Sequence, residues 1–173
     1  MKNIKIVKVT PSQIDQLQQI SKQTFSETFA ESNSEENLQS YLEKNLSKEK
    51  LFEELANNDS QFYFAETNGM IAGYLKVNFG DSQTELKDSK ALEIERIYVV
   101  KEYHGKGIAQ VLYAKAIETA KDLGSEYVWL GVWEENQRAI SFYKKNRFEP
   151  FDTHIFKLGD DEQTDIMMKL KLE

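Results

Sequence analysis

The sequence predicts an α/β (α+β) fold in which helices flank one sheet, and three observations lead there. Segments of strand and helix period follow one another as strand, two or three helices, three strands, helix, strand, helix, two strands. Asn68-Gly69 separates two strand-like runs and suits a two-residue hairpin turn, because both positions must accept positive φ. At 173 residues the chain is long enough for one substantial core and too short for two ordinary ones. No repeat, low-complexity tract or linker interrupts it, so 1–173 reads as a single domain.

Taken in order, Ile4 to Val9 alternates apolar and polar residues as a half-buried strand does. Thr10, Pro11 and Gln13 then form a helix start, with Thr10 as N-cap and Gln13 completing a capping box. Ile14, Leu17, Ile20, Phe25 and Phe29 continue at helical spacing. A second helix begins at Ser34, ahead of Glu35 and Glu36, where the helix dipole favours carboxylates. A short third helix runs from Ser47 to Leu55. Gln61 to Thr67 and Met70 to Phe79 pair antiparallel around Asn68-Gly69. Gly80 to Lys90 is a polar loop, and Leu92 to Val100 a strand. Gly107 to Leu123 is a helix with Gly124 just past its end. Tyr127 to Trp133 is a short, nearly all-apolar run, as in a strand buried on both faces. A helix over Gln137 to Lys145 and strands around Asp152 to Leu158 and Asp165 to Lys171 complete the chain.

The formal charge of -7 argues against a nucleic-acid partner, since phosphate binding needs clustered positive charge. Ser26 to Glu54 holds eight glutamates against three lysines, a net -5. Such a run is ordinarily a solvated face, but it also suits a cationic partner. No apolar run approaches the roughly 20 residues of a membrane helix. The stretch Met1 to Val7 lacks a signal core, and there is no cysteine, so a reducing cytoplasm is expected. Two histidines without cysteines offer no metal-ligand grouping.

The turn Tyr103-His104-Gly105-Lys106-Gly107-Ile108-Ala109 opens directly into a long helix. Its glycines let backbone approach a ligand, and the helix start offers unpaired N–H groups and a positive dipole end, together suited to a phosphate. Lys106 could add charge. A dinucleotide fingerprint would need its third glycine at Gln110, and no P-loop spacing occurs.

Ile97-Tyr98-Val99, then His104 to Ala109, then Asn136-Gln137-Arg138-Ala139-Ile140-Ser141-Phe142-Tyr143 together resemble the GNAT acyl-CoA N-acyltransferase superfamily. The element order fits along nearly the whole chain, while the specific motifs cover Glu93 to Phe148. The resemblance implies a mixed, mostly antiparallel central sheet of about seven strands flanked by helices, with acetyl-CoA as cosubstrate and no metal. It implies that the strand holding Ile97, Tyr98 and Val99 splays from its neighbour and pairs with the pantetheine arm. It further implies that backbone from Gly105 through Lys106, Gly107, Ile108, Ala109 and Gln110 wraps the pyrophosphate. The family's loop begins with Arg or Gln, so His104 is a departure there. Asn136 is implied to contact the cofactor arm and Tyr143 to lie beside the sulfur. Arg147 stands where the family often has glycine, and Asn146 is the expected left-handed residue instead.

Acetyl transfer from a thioester to an amine needs a neutral nitrogen, a stabilised oxyanion and a protonated leaving thiol. Neutralising an alkylamine of pKa about 10.4 at neutral pH costs roughly 4 to 5 kcal/mol. Glu93 is the expected general base, directly or through a water, because it stands where some family members carry one. Glu95 is the alternative base, sharing its face at a spacing of two. Gly131 holds the position other relatives use for a base and cannot serve. Tyr143 is the expected general acid toward the thiolate, and the Val99 N–H the expected oxyanion donor.

Glu93 to Val99, Trp129 to Glu134 and Gly159 to Asp165 most resemble the bacterial PaiA-type spermidine/spermine N-acetyltransferases. That implies a small cationic amine acceptor, a polyamine, which the acidic early helices and the Asp160 to Asp165 cluster would suit. No nucleic-acid or membrane partner is expected, and a homodimer is allowed. Two alternatives stay open, a protein N-terminal or lysine acetyltransferase and a non-catalytic CoA-binding regulatory module.

Overall fold

The computed structural model describes residues 3–173; Met1 and Lys2, part of the stretch read for a signal core, lie outside the described residues. The elements follow in the order β1 (Lys5–Lys8), α1 (Ile14–Phe29), α2 (Glu35–Asn45), α3 (Lys48–Ala56), β2 (Ser60–Thr67), β3 (Met70–Phe79) and β4 (Ala91–Val99). Then come α4 (Ile108–Asp122), β5 (Tyr127–Trp133), α5 (Gln137–Lys145), β6 (Glu149–Leu158) and β7 (Asp161–Lys171). The seven strands form one sheet in the order β1-β2-β3-β4-β5-β7-β6. Among the described strands only β4 and β5 pair parallel, so the sheet is mixed and mostly antiparallel, as the family resemblance implies.

Local chemistry sets the boundaries. The Gln13 side chain accepts from the Thr10 N–H at 3.0 Å, but Pro11–Gln13 is a 3-10 turn ahead of the α-helix. Ser34 and Ser47 each cap a helix by accepting an N–H at 3.1 Å, from Asn37 and Lys50. Asn68 and Gly69 both take positive φ, closing the β2–β3 hairpin. The last hairpin differs from expectation. β6 and β7 are longer than their apolar cores suggest, and the polar stretch from Asp161 pairs as strand because β6 supplies its hydrogen bonds.

The end of α5 carries a correction. Asn146 has φ -91°, and Arg147 takes the left-handed conformation at φ 73°. The Phe148 N–H reaches the Tyr143 carbonyl at 3.0 Å, and the Arg147 N–H the Lys144 carbonyl at 3.0 Å. This is the Schellman arrangement, whose left-handed residue lies one position beyond the cap. Burial of Phe148 holds it despite the steric cost to a non-glycine.

The two largest cores lie on opposite faces of the sheet. One packs α4 and α5 on Leu75, Val77, Leu92, Ile94, Val128 and Leu130. The other packs α1, α2 and α3 on Phe62, Phe64 and Tyr74. The functional residues gather where β4 and β5 come apart between these layers.

Candidate active site

β4 and β5 pair only from Ala91–Tyr127 to Ile94–Leu130, yet β4 runs on to Val99 and β5 to Trp133. The cause is on the other edge of β4. Lys76 pairs with Arg96 and Val77 with Ile94, leaving Glu95 as an extra residue in a bulge. The Val100 N–H donates to the Ala72 carbonyl at 2.8 Å, so the Tyr98 main chain also faces β3. By alternation the N–H and C=O groups of Ile97 and Val99 point into the gap.

Beyond the gap lies a cleft of about 670 Å³ lined by Ile97, Tyr98, Val99, the turn His104 to Gln110 except Lys106, Asn136 and Tyr143. Gly105 and Gly107 take φ of 78° and 85°, a conformation that turns successive N–H groups outward. Among the described residues, the N–H groups from Gly105 to Gln110 have no protein acceptor, and helix bonding begins with Val111 N–H to Gly107 O. A row of free N–H groups at the start of α4 fits a pyrophosphate, and the exposed strand edge fits the amides of a pantetheine arm. Lys106 Nζ lies 5.5 Å from the centre of the Tyr103 ring. His104 bends back, its Nε2 2.9 Å from the Val99 carbonyl, and so occupies one of the two acceptors on that edge. The Asn136 side-chain oxygen caps α5 through the Ala139 N–H at 3.2 Å, and the residue lines the cleft.

A second cavity of about 260 Å³ opens on the α1–α3 face and shares Ile97, Tyr98, Trp133, Asn136 and Tyr143 with the first. Its floor brings Glu93 and Glu95 together through Asn78, whose Nδ2 lies 3.0 Å from one carboxylate and 2.8 Å from the other. Glu93 also accepts from the Thr84 N–H at 2.8 Å and the Thr84 hydroxyl at 2.5 Å. Burial pushes Glu93 above the usual carboxylate range against those hydrogen bonds.

Glu95 behaves oppositely. Burial alone would raise it, but Arg96 and Lys76 outweigh that and hold it down at about 2. Lys76 Nζ reaches Glu95 at 2.7 Å and Glu54 at 3.3 Å, while Arg96 reaches Glu54 at 2.9 Å and Glu95 at 3.2 Å. The bulge makes this charge-balanced quartet possible by turning Glu95 and Arg96 to the same face. Tyr143 sits between the cavities, 6% exposed, and burial pushes its phenol well above the ordinary range, so it stays protonated.

Some of this was not legible from the sequence. None of the eight glutamates of Ser26 to Glu54 lines this second cavity; Glu27 instead borders the larger cleft, accepting from the Lys101 N–H at 3.0 Å. Of the acidic residues between Asp160 and Asp165, only Asp165 lines it. Asp160 bonds Asn37, and Glu162 pairs with Lys157. The cavity also gains Glu85 and His154, whose carboxylate and Nδ1 meet and join the loop after β3 to β6. Aromatic walls come from α1, α2, β5 and β6: Phe25 stacks on Tyr41 with centroids 4.3 Å apart, and Phe29 meets Trp133 at 5.3 Å. Strand parity places Asp165 on the face of Gly131, a signal usable only once the β5–β7 register is known.

Comparison with known proteins agrees with this geometry. Residues 14–148 match the acetyltransferase (GNAT) family. An uncharacterised N-acetyltransferase in the pepI 3' region of Lactobacillus delbrueckii subsp. lactis is 40% identical over 172 residues, covering 99% of each chain. An uncharacterised N-acetyltransferase of Mycobacterium tuberculosis is 32% identical over 158 residues, 91% of this chain and 97% of that one. The crystal structure of PaiA N-acetyltransferase from Thermoplasma acidophilum in complex with coenzyme A superposes with a TM-score of 0.81 at 26% identity, over 98% of this chain and 99% of that one. The free N–H cradle, the splayed strand and these relatives lead to one conclusion: the chain belongs to the GNAT family and is an acetyl-CoA-dependent acetyltransferase.

Proposed function

We propose that this acetyltransferase acts on a primary amine of a small, flexible polycation of the spermidine type. The observation that carries the reading is the charge of the acceptor cavity, where, among the described residues, Glu85, Glu93, Glu95 and Asp165 share the lining with Arg96 as the one fixed cation. Because Glu54 and Lys76 complete the balance around Arg96 and Glu95, the remaining carboxylates give the cavity a negative field. Aromatic walls beside carboxylates favour an ammonium on an apolar stem, through cation–π attraction and stem burial. The likeness to PaiA N-acetyltransferase at 26% identity supports the same choice.

In this reading the cleft holds acetyl-CoA through the N–H groups of Gly105 to Gln110 and the strand edge at Ile97 and Val99. The acetyl carbon then lies at the junction of the cavities, near Tyr143. The Val99 N–H faces the gap and stabilises the oxyanion there. Tyr143 gives its proton to the departing sulfur, a role its protonated state suits. The carboxylates outside the balanced quartet, Glu85, Glu93 and Asp165, draw the ammonium toward the junction, and the amine proton leaves to a cavity carboxylate.

Thiol release from acetyl-CoA tests this directly. Spermidine should be turned over well above a peptide N-terminus, and the reverse ranking would sink the polyamine assignment. Tyr143→Phe should lose at least about tenfold in turnover with coenzyme A affinity kept, the lower end of what a general acid supplies.

A further inference from the structure

Asp165 stands apart from the other carboxylates of the acceptor cavity. Both oxygens of Glu93 are taken by Thr84 and Asn78, and Glu95 is held by Lys76, Arg96 and Asn78. Among the described residues, the Asp165 side chain accepts no hydrogen bond and joins no ion pair at contact distance, so its lone pairs remain open to a ligand. Room for that ligand comes from Gly131 on β5. A Cβ there would lie 3.5 Å from Asp165 Oδ2, so a larger side chain would reach over the carboxylate. The residue also has an exit for protons. His154 is its cross-strand partner on β6, half exposed, with Glu85 on its Nδ1.

We infer that Asp165 is the group that takes the proton from the acceptor ammonium, with Gly131 keeping it uncovered and His154 passing the proton on to solvent. The inference rests on the amine-acetylation reading above. The ammonium nitrogen gives up two protons in becoming an amide. One leaves through Asp165 and His154 as the released H⁺, and the other replaces the proton that Tyr143 gives to the sulfur. The C–N bond forms as the C–S bond breaks, so acetyl thioester and ammonium become amide, thiol and one proton. On this inference Asp165 takes the role that the family resemblance implies for Glu93. Burial supports it by pushing Asp165 up to about 6, with His154 opposing, so the group is a stronger base than an ordinary carboxylate.

The test is the pH profile of kcat/KM for thiol release, measured with spermidine and with propylamine. The charged or titratable groups that line the cavity with Asp165 are Glu93, Glu95, Arg96 and Tyr98 on β4, Tyr41 on α2, Tyr74 on β3, Tyr143 on α5, His154 on β6 and Glu85 in the loop. The native protein should show an acid limb, and Asp165→Asn should lose that limb along with about 100-fold or more of kcat/KM, the scale of general-base catalysis. Gly131→Val keeps every titratable group yet should cause a comparable loss by covering the carboxylate. Coenzyme A binding by calorimetry should stay unchanged in both variants, separating a lost base from a lost fold. The acid limb should persist in Glu93→Gln. If Asp165→Asn keeps both rate and limb, or if Glu93→Gln is the variant that loses the limb, the Asp165 assignment is overturned while amine acetylation stands. If the native protein acetylates neither amine, the acceptor reading fails and the assignment falls with it.

Discussion

The cofactor cleft and the acceptor cavity share Tyr143, Ile97 and Trp133 but are made of different materials. The cleft is mainly backbone: free N–H groups on one turn and the main-chain edge of one strand, within residues 97–110. The cavity is side chains, carboxylates from β4, β7 and a loop under aromatic residues from α1, α2, β5 and β6. Backbone recognition suits a cosubstrate of fixed structure, because its geometry follows from a short run of φ and ψ angles. Side-chain recognition can be altered by single substitutions, so on the proposed reading this half sets the choice of acceptor.

Breaking the charged floor should have the largest effect. Lys76→Met leaves Glu54 and Glu95 sharing Arg96 alone in a buried setting, and should cost about 3–5 kcal/mol in urea unfolding. Acid attacks the same quartet. Glu95 sits at about 2 in the folded state against an ordinary 4.5, so its stabilisation is full above pH 4.5 and is lost as pH falls toward 2. Unfolding at stepped pH should show a loss of about 2–3 kcal/mol over that window, absent in Glu95→Gln.

On the cleft side, Gly107→Val forces a β-branched residue to φ 85° within the N–H cradle. The unliganded turn then relaxes to negative φ, and regaining the cradle on binding costs about 1–2 kcal/mol, so coenzyme A should bind roughly tenfold more weakly by calorimetry. An unchanged affinity would mean the turn does not hold the pyrophosphate.

The smallest effect has the opposite sign. Asp165 at about 6 lies above its ordinary 3.8, so its ionisation costs stability increasingly as pH rises through that interval. Asp165→Asn should therefore raise Tm by a few degrees at pH 7 and leave it unchanged at pH 3. A stability gain from removing a cavity carboxylate would mark that residue as kept for chemistry.

The elements were largely legible because each depends on local period and caps. Ser34 and Ser47 cap as read, and the hairpin turns at Asn68-Gly69. Glu93 and Glu95 share a face, but the bulge that moves Arg96 onto it leaves no sequence pattern. The left-handed residue at the end of α5 was misplaced by one position, because burial of Phe148, not intrinsic preference, chooses Arg147.

The sequence by itself determined the seven strands and their helices, the glycine turn ahead of α4, and the spacing of Asn136 and Tyr143. All of these are fixed by contacts between residues near in the chain. Only the tertiary structure decided which acids line the smaller cavity. It turned most of the acidic early helices and the Asp160 end of the last hairpin away, tied Glu54 to Arg96, and set Asp165 beside Gly131. That choice depends on the register of β7 against β5 and on the bulge in β4. Both are pairings between distant segments, and a change of one residue in either would turn different side chains into the cavity.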